Sequence, residues 1–243
     1  MAKIIAVWGS PDSGKTTFAV KLALAIYGDY QTTVVTVCAD RETPVLPVLF
    51  PNRKKDELFS LGECLSKTEI TQDEVIRQIV TLKEKQNFGI LGYKDGENRY
   101  SYPEYDESKV SGLFGVLGVT ADYVIVDCTS SLSNKISRFA VMNADEVIRI
   151  ASPDLKSLAW QSSQLPMLSD PIFRLDRQIL GLNTPDADLY MPIEDAKAHL
   201  PEVNFTVPFS RSVKQQMLDG KLLESVPDRK FNNRFHAIVE KVV

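Results

Sequence analysis

Residues 9–16 read Gly-Ser-Pro-Asp-Ser-Gly-Lys-Thr. The spacing is that of a phosphate loop: one glycine, four residues, then Gly-Lys-Thr. The chemistry that suits such a loop is the holding of a polyphosphate. Gly9 lets the chain turn sharply, and Gly14 lets backbone approach an anion. The loop N–H groups and the start of the next helix offer partial positive charge. Lys15 adds a full charge for the β- and γ-phosphates, and the Thr16 hydroxyl suits Mg²⁺. The candidate nucleotide contacts are therefore Gly9, Ser10, Pro11, Asp12, Ser13, Gly14, Lys15, Thr16 and Thr17.

Two carboxylates stand where they could join this chemistry. Asp127 follows four apolar residues, Tyr123-Val124-Ile125-Val126, in a pattern that puts a carboxylate near Mg²⁺ or its water. The plainer alternative is a cap for the next helix. Asp40 ends the run Val34-Val35-Thr36-Val37-Cys38-Ala39 in the same way. Its alternative is a solvated loop aspartate.

The elements needed to bring these residues together follow from the hydrophobic pattern. Ile4 to Trp8 is continuously apolar, as in a strand buried on both faces. Phe18, Leu22 and Ile26 recur along one face of a helix from Lys15 to about Tyr27, which Gly28 is expected to stop. Val34 to Cys38 is a second strand, and residues 41–63 read as loop with a short helix. Thr71 with Glu74 makes a capping box for a helix to about Lys85. Phe88 to Leu91 is a short strand. Residues 92–105, with Gly96 in a turn, read as an exposed loop or hairpin. A helix over residues 106–117 precedes the strand ending at Asp127. Strands then fall at residues 147–150, 178–182 and 203–207, with a helix over 155–168 and a last helix from about Asp228. This alternation predicts an α/β protein: a mostly parallel twisted sheet with helices on both faces, three layers in all, and ligands at the carboxyl edge.

Composition allows that reading and removes others. The 243 residues suit one such domain spanning 1–243. Hydrophobic residues are 44% and charged residues 25%, which excludes disorder, collagen and a coiled-coil rod. A net charge of −4 does not indicate a nucleic-acid-coating domain. No apolar run is long enough to span a membrane, and no export signal is evident. The three cysteines, Cys38, Cys64 and Cys128, and the two histidines show no metal spacing. Reduced thiols and a cytoplasmic location are expected.

The order of motifs resembles the MinD/ParA-type P-loop ATPases. After the loop comes Val-Cys-Ala-Asp40, where that family has its switch I aspartate. Asp-Tyr-Val-Ile-Val-Asp127-Cys-Thr-Ser-Ser-Leu is similar to its switch II segment. Ala144-Asp145-Glu146-Val147-Ile148 with Ser152-Pro153-Asp154, then Ile179-Leu180-Gly181-Leu182-Asn183, Val207-Pro208-Phe209 and Asp219-Gly220-Lys221, follow in the family's order. The likeness runs from about residue 3 to residue 223. It implies ATP/ADP and Mg²⁺ as cofactors. Lys15, Asp40 and Asp127 would be the catalytic residues, Asp40 orienting the attacking water. Thr16 and Asp127 would support the metal, and Asn183 and Pro208 would face adenine. It also implies a homodimer that positions or assembles a partner complex.

The loop departs from that family's signature. A lysine that serves the partner's phosphates stands five residues before the loop lysine, followed by two glycines; here those positions are Ser10, Pro11 and Asp12. Pro11 removes one N–H from the cradle, and Asp12 puts a negative charge near it. Thr129 and Ser130 replace two prolines of switch II. Such departures resemble the CpaE/TadZ-like branch tied to pilus assembly and secretion. The alternative function is a non-hydrolysing scaffold for a pilus, secretion or conjugation machine. The last helix carries Phe231, Phe235, Ile238, Val239 and Val242 on one face. Packing against the sheet is the favoured role, with peripheral membrane contact as the other. Tyr93, Tyr100, Tyr102 and Tyr105 suggest either a partner surface or cover for a sheet edge.

Overall fold

The computed structural model describes residues 1–184, 191–200 and 203–243. Its centre is an eight-stranded sheet. In chain order the strands are β1 (Lys3–Gly9), β2 (Val34–Cys38), β3 (Val80–Leu82), β4 (Lys85–Leu91), β5 (Tyr123–Asp127), β6 (Glu146–Ala151), β7 (Ile179–Asn183) and β8 (Phe205–Val207). Across the sheet the order is β3-β4-β2-β5-β1-β6-β7-β8. Every pairing is parallel except β3 with β4.

Helices cover both faces, as the alternation predicts. One side of β1 presents Ile5 and Val7, which meet Phe18, Leu22 and Ile26 of α1 (Lys15–Tyr30). On this side α2 (Leu46–Leu49), α9 (Arg211–Leu218) and α10 (Arg229–Val242) also pack. The other side presents Ala6 and Trp8 to α3 (Leu61–Leu65), α4 (Gln72–Gln78), α5 (Glu107–Thr120) and α6 (Lys135–Asn143). Leu168, at the end of α7 (Leu155–Leu168), joins this cluster. A small cluster of Ala151, Leu180 and Leu182 sits under α8 (Ile193–His199). The full apolar periodicity of the central strands follows from this two-sided burial.

Several local expectations are corrected. Gly28 does not stop α1, which runs on to Tyr30 and ends where Gln31 takes a left-handed φ of 50°. A glycine weakens a helix without breaking it, and the reversal at Gln31 is what closes it. Thr71 caps the helix as expected, its hydroxyl accepting from the Glu74 N–H at 3.3 Å, but that helix ends at Gln78. Val80–Leu82 instead pairs antiparallel with a longer β4, because edge pairing and burial of Val80 outweigh continued helix. A hairpin thus lies at residues 80–91, and residues 92–105 form a loop, the first of the two alternatives, with Gly96 at φ +81°. The helices α6, α8 and α9 were not read from the sequence.

The tyrosine loop is tied inward. Tyr93 and Tyr105 are buried, and the Tyr102 hydroxyl donates to Glu97, which also accepts from Ser60. Tyr100 alone of the four is strongly exposed, under the Arg99 guanidinium. The apolar face of α10 is buried throughout, in agreement with packing on the sheet. All three cysteines are free and buried.

Candidate nucleotide site

The loop leaves β1 at Gly9, whose backbone is in a left-handed region with φ +152°. A Cβ there would lie 2.0 Å from the Ile150 carbonyl oxygen of the neighbouring β6, so only glycine fits. The Ser10 N–H donates to that same carbonyl at 3.1 Å. Asp12 and Gly14 also take positive φ, 59° and 80°. The loop is then stitched from inside: the Ser13 hydroxyl donates to the Ser10 carbonyl at 2.8 Å. The Asn183 amide, from the end of β7, donates to the Ser13 carbonyl at 2.7 Å.

Gly14 is the N-cap of α1, and no side chain caps that end or adds an acid to its first turn. Its leading N–H groups are therefore left for another acceptor, and the helix dipole favours an anion there. Lys15 lies alongside. Its ammonium donates to the Ser10 carbonyl at 2.7 Å and to the Ser130 hydroxyl at 2.8 Å. Burial holds the Lys15 pKa below the usual lysine value, with Asp127 the main charge opposing that.

Asp127 closes β5 one strand away. It is 5% exposed, and burial raises its pKa to about 6, against a hydrogen bond from Thr16 and the Lys15 charge. Its Oδ1 is buried without a hydrogen-bond partner. A carboxylate oxygen left unpaired beside a threonine hydroxyl is a donor set for a hard cation that completes its shell with water and phosphate. No cluster of three or more His, Cys, Asp or Glu suited to a metal occurs among the described residues.

Asp40 stands at the same sheet edge, past β2. Its Oδ1 accepts from the Glu42 and Thr43 N–H groups at 2.8 and 3.0 Å, so the carboxylate shapes its own turn. It still acts electrostatically on both Lys15 and Asp127. The turn-shaping role is the alternative that these bonds realise.

Gly14, Thr17, Asn183 and Pro208 line a cavity of about 220 Å³ behind the loop. Its other walls are mostly apolar, with Phe18 from α1, Val213 and Met217 from α9, and Phe231 and Phe235 from α10, but Thr184, Ser210 and Lys214 line it as well. Phe18 packs between Phe205 and Phe235, with ring centroids 5.7 and 5.1 Å away. Lys21, one turn further along α1, donates to the Gln216 side chain and to the Leu222 and Glu224 carbonyls at 2.7, 2.6 and 3.0 Å. That buried ammonium fixes the helix forming the wall.

Four residues at the site are not among the candidate contacts read from the sequence. Ser130 receives Lys15, and its carbonyl accepts from Trp8 Nε1 at 3.3 Å. Ser157 on α7 has its hydroxyl 2.7 Å from that of Ser10. Lys156 pairs with Asp12 at 2.5 Å, which offsets the negative charge the sequence places there. Asn134 donates to the Ala39 carbonyl at 2.8 Å and caps α6.

The sheet order, the loop between β1 and α1, and the acid at the end of β5 define the three-layer α/β/α architecture of P-loop nucleotide-binding proteins. Among solved structures the chain resembles MinD and ParA-family ATPases. The cell-division ATPase MinD of Pyrococcus furiosus aligns over 99% of this chain and 98% of its own, at TM-score 0.74 and 19% identity. A ParA-family ATPase from Chlorobium tepidum aligns over 100% of both chains, at TM-score 0.81 and 14% identity. MinD of Pyrococcus horikoshii, in complex with Mg-ADP, covers 99% and 96% at TM-score 0.73 and 19% identity. At such identities the likeness establishes the fold, which is that of the MinD/ParA-type P-loop ATPases. No protein-family profile matches the chain, and no curated sequence relative matches it.

Proposed function

We propose that residues 1–243 form one nucleotide-binding domain that binds and hydrolyses ATP with Mg²⁺, as a switch that positions or assembles a partner complex. The observation that carries this reading is the convergence of an uncapped α1 N-terminus, the Lys15 ammonium and the unpaired Asp127 oxygen beside Thr16. Structures of this fold include MinD with Mg-ADP and a Borrelia burgdorferi plasmid partition protein with an ATP analogue, which supports the choice of ligand.

In this mechanism the loop residues Gly9 to Gly14 wrap the phosphates, and the α1 N–H groups at Thr16 and Thr17 donate to them. Lys15 exchanges its bonds to the Ser10 carbonyl and Ser130 for the β- and γ-phosphates. Thr16 and Asp127 would hold Mg²⁺, which would supply positive charge against the phosphate oxygens. Asp40, half free of its turn, orients the attacking water. Asn183 and Pro208 place the base in the cavity behind the loop, where Phe18 and Phe235 shield it from water. Ser130 reports phosphate occupancy: when Lys15 lets go, the segment after Asp127 loses an anchor and passes the signal outward.

The partner reading is a homodimer acting on a protein of a positioning, pilus, secretion or conjugation system. A location in the cytoplasm goes with it; among the described residues no helix is long and apolar enough to cross a membrane. A second reading, a scaffold that binds ATP without turnover, is favoured by the two N–H groups engaging Asp40 and by Ser10 at the signature lysine position. ATP binding and hydrolysis by wild type and Lys15→Ala test the proposal. Failure of the wild type to bind nucleotide would refute both readings. Binding without turnover, with self-association indifferent to ATP, would select the scaffold.

A further inference from the structure

Asp12 and Lys156 form an ion pair at the mouth of the phosphate loop, 2.5 Å apart. Local stability does not account for it. Both side chains are mostly exposed, 83% for Asp12 and 63% for Lys156, and such pairs add little to folding. Lys156 is also the second residue of α7, where the helix dipole disfavours a cation. Asp12 is held with φ 59°, a left-handed backbone that aspartate takes more readily than most residues bearing a Cβ.

Placement gives the pair a different meaning. Ser157, next to Lys156, has its hydroxyl 2.7 Å from that of Ser10 and accepts from the Ser152 N–H at 3.0 Å, both in buried surroundings. These bonds pin the start of α7 to the loop. Two successive α7 residues therefore reach loop positions 10 and 12. The Asp12 carboxylate also feels the Lys15 ammonium. It lies within electrostatic reach of the charge that would attract a polyphosphate, and it would repel the same ligand.

We propose that Lys156 is a charge-positioning residue of the nucleotide site. It offsets Asp12 at the loop mouth and adds positive charge toward the terminal phosphate from within the same chain. This rests on the nucleotide reading above. The ligand class is a nucleoside triphosphate in preference to a monophosphate, because a charge at the mouth acts on the outermost phosphates.

The test measures Kd for ATP, ADP and AMP by calorimetry at low and high salt, with thermal melts of every variant. Lys156→Ala should weaken ATP about threefold to tenfold, the effect of one partly screened unit charge near the phosphates. ADP should lose less, and AMP should be unchanged. Lys156→Arg should stay near wild type. Asp12→Ala combined with Lys156→Ala should recover much of the loss, since the repelling carboxylate goes with its partner. High salt should shrink all these differences. The proposal is overturned if Lys156→Ala binds ATP as wild type does, or weakens ATP, ADP and AMP alike. It is also overturned if the double variant binds no better than the single. A wild type that binds ATP while Lys156→Ala is unaffected refutes this proposal alone; a wild type that binds no nucleotide refutes the nucleotide reading as well.

Discussion

Replacing Asp127 with Asn should make the protein without nucleotide more stable, and by an amount that depends on pH. Burial lifts the Asp127 carboxyl to about 6 from an ordinary 3.8, despite Thr16 and Lys15. At roughly 1.4 kcal/mol per pH unit, that gap corresponds to about 3 kcal/mol. The sign follows from proton binding. Between 3.8 and about 6 the folded chain holds this proton more tightly than the unfolded chain does. Stability therefore falls as pH rises through that window, and the full penalty stands above it. Asn keeps the size and a bond to Thr16 but never ionises. At pH 7.5 the variant should gain about 3 kcal/mol, roughly 6–12 °C in Tm for a chain of this size. At pH 4.5, where the wild-type carboxyl is largely protonated, the gain should shrink to about 1 kcal/mol. Thermal melts of both proteins across this range, without nucleotide or Mg²⁺, read the difference directly. With Mg²⁺ and ATP the order should reverse, as wild type alone gains the metal's stabilisation. An Asn variant no more stable at pH 7.5, or equally favoured at both pH values, would refute the reasoning.

Lys21 gives the opposite handle at alkaline pH. Burial brings its ammonium down to about 8 from 10.5, so between those values the unfolded chain binds more protons. Wild type should gain up to about 3 kcal/mol over Lys21→Met as pH rises through that window, and parallel denaturation curves would refute it. Gly9→Ala should cost about 3–5 kcal/mol, because the added Cβ meets the Ile150 carbonyl and the backbone is already in a strained region. Urea melts check this, and a loss below about 1 kcal/mol would sink it. Asn183→Ala removes the tie to the Ser13 carbonyl. ATP affinity should fall about tenfold by calorimetry, the weight of one hydrogen bond at a buried site, while unchanged affinity would count against a base site there.

What could be read from the sequence was set by short-range rules. The loop at residues 9–16 needs particular residue types in a row, so its glycines, Lys15 and Thr16 stand out unaided. Asp127, Asp40 and Asn183 are legible because each ends an apolar strand, and parallel strands deliver their ends to one edge. The braces around the loop were not legible. Ser157, Lys156 and Asn134 meet their partners across 147, 144 and 95 positions of chain, and nothing local marks those meetings. Val80–Leu82 misled for a related reason: a short apolar run after a helix takes its structure from whichever edge is free, here that of β4. Gly28 misled because glycine ends helices only where the backbone reverses, and the reversal came at Gln31.

The cavity behind the loop is built from both ends of the sequence. Its roof, Gly14 to Phe18, follows the first strand, and its floor, Phe231 and Phe235, belongs to the last helix. A chain growing on the ribosome therefore exposes its phosphate loop long before the pocket beside it can close. Until α10 has packed, Phe18 lacks its ring contact with Phe235 and the cavity lacks one wall. Contacts of such wide sequence separation also form late in folding, because a long loop must close before they give any return. Closure of this cavity thus follows the pairing of the strands that lie between α1 and α10 in the chain.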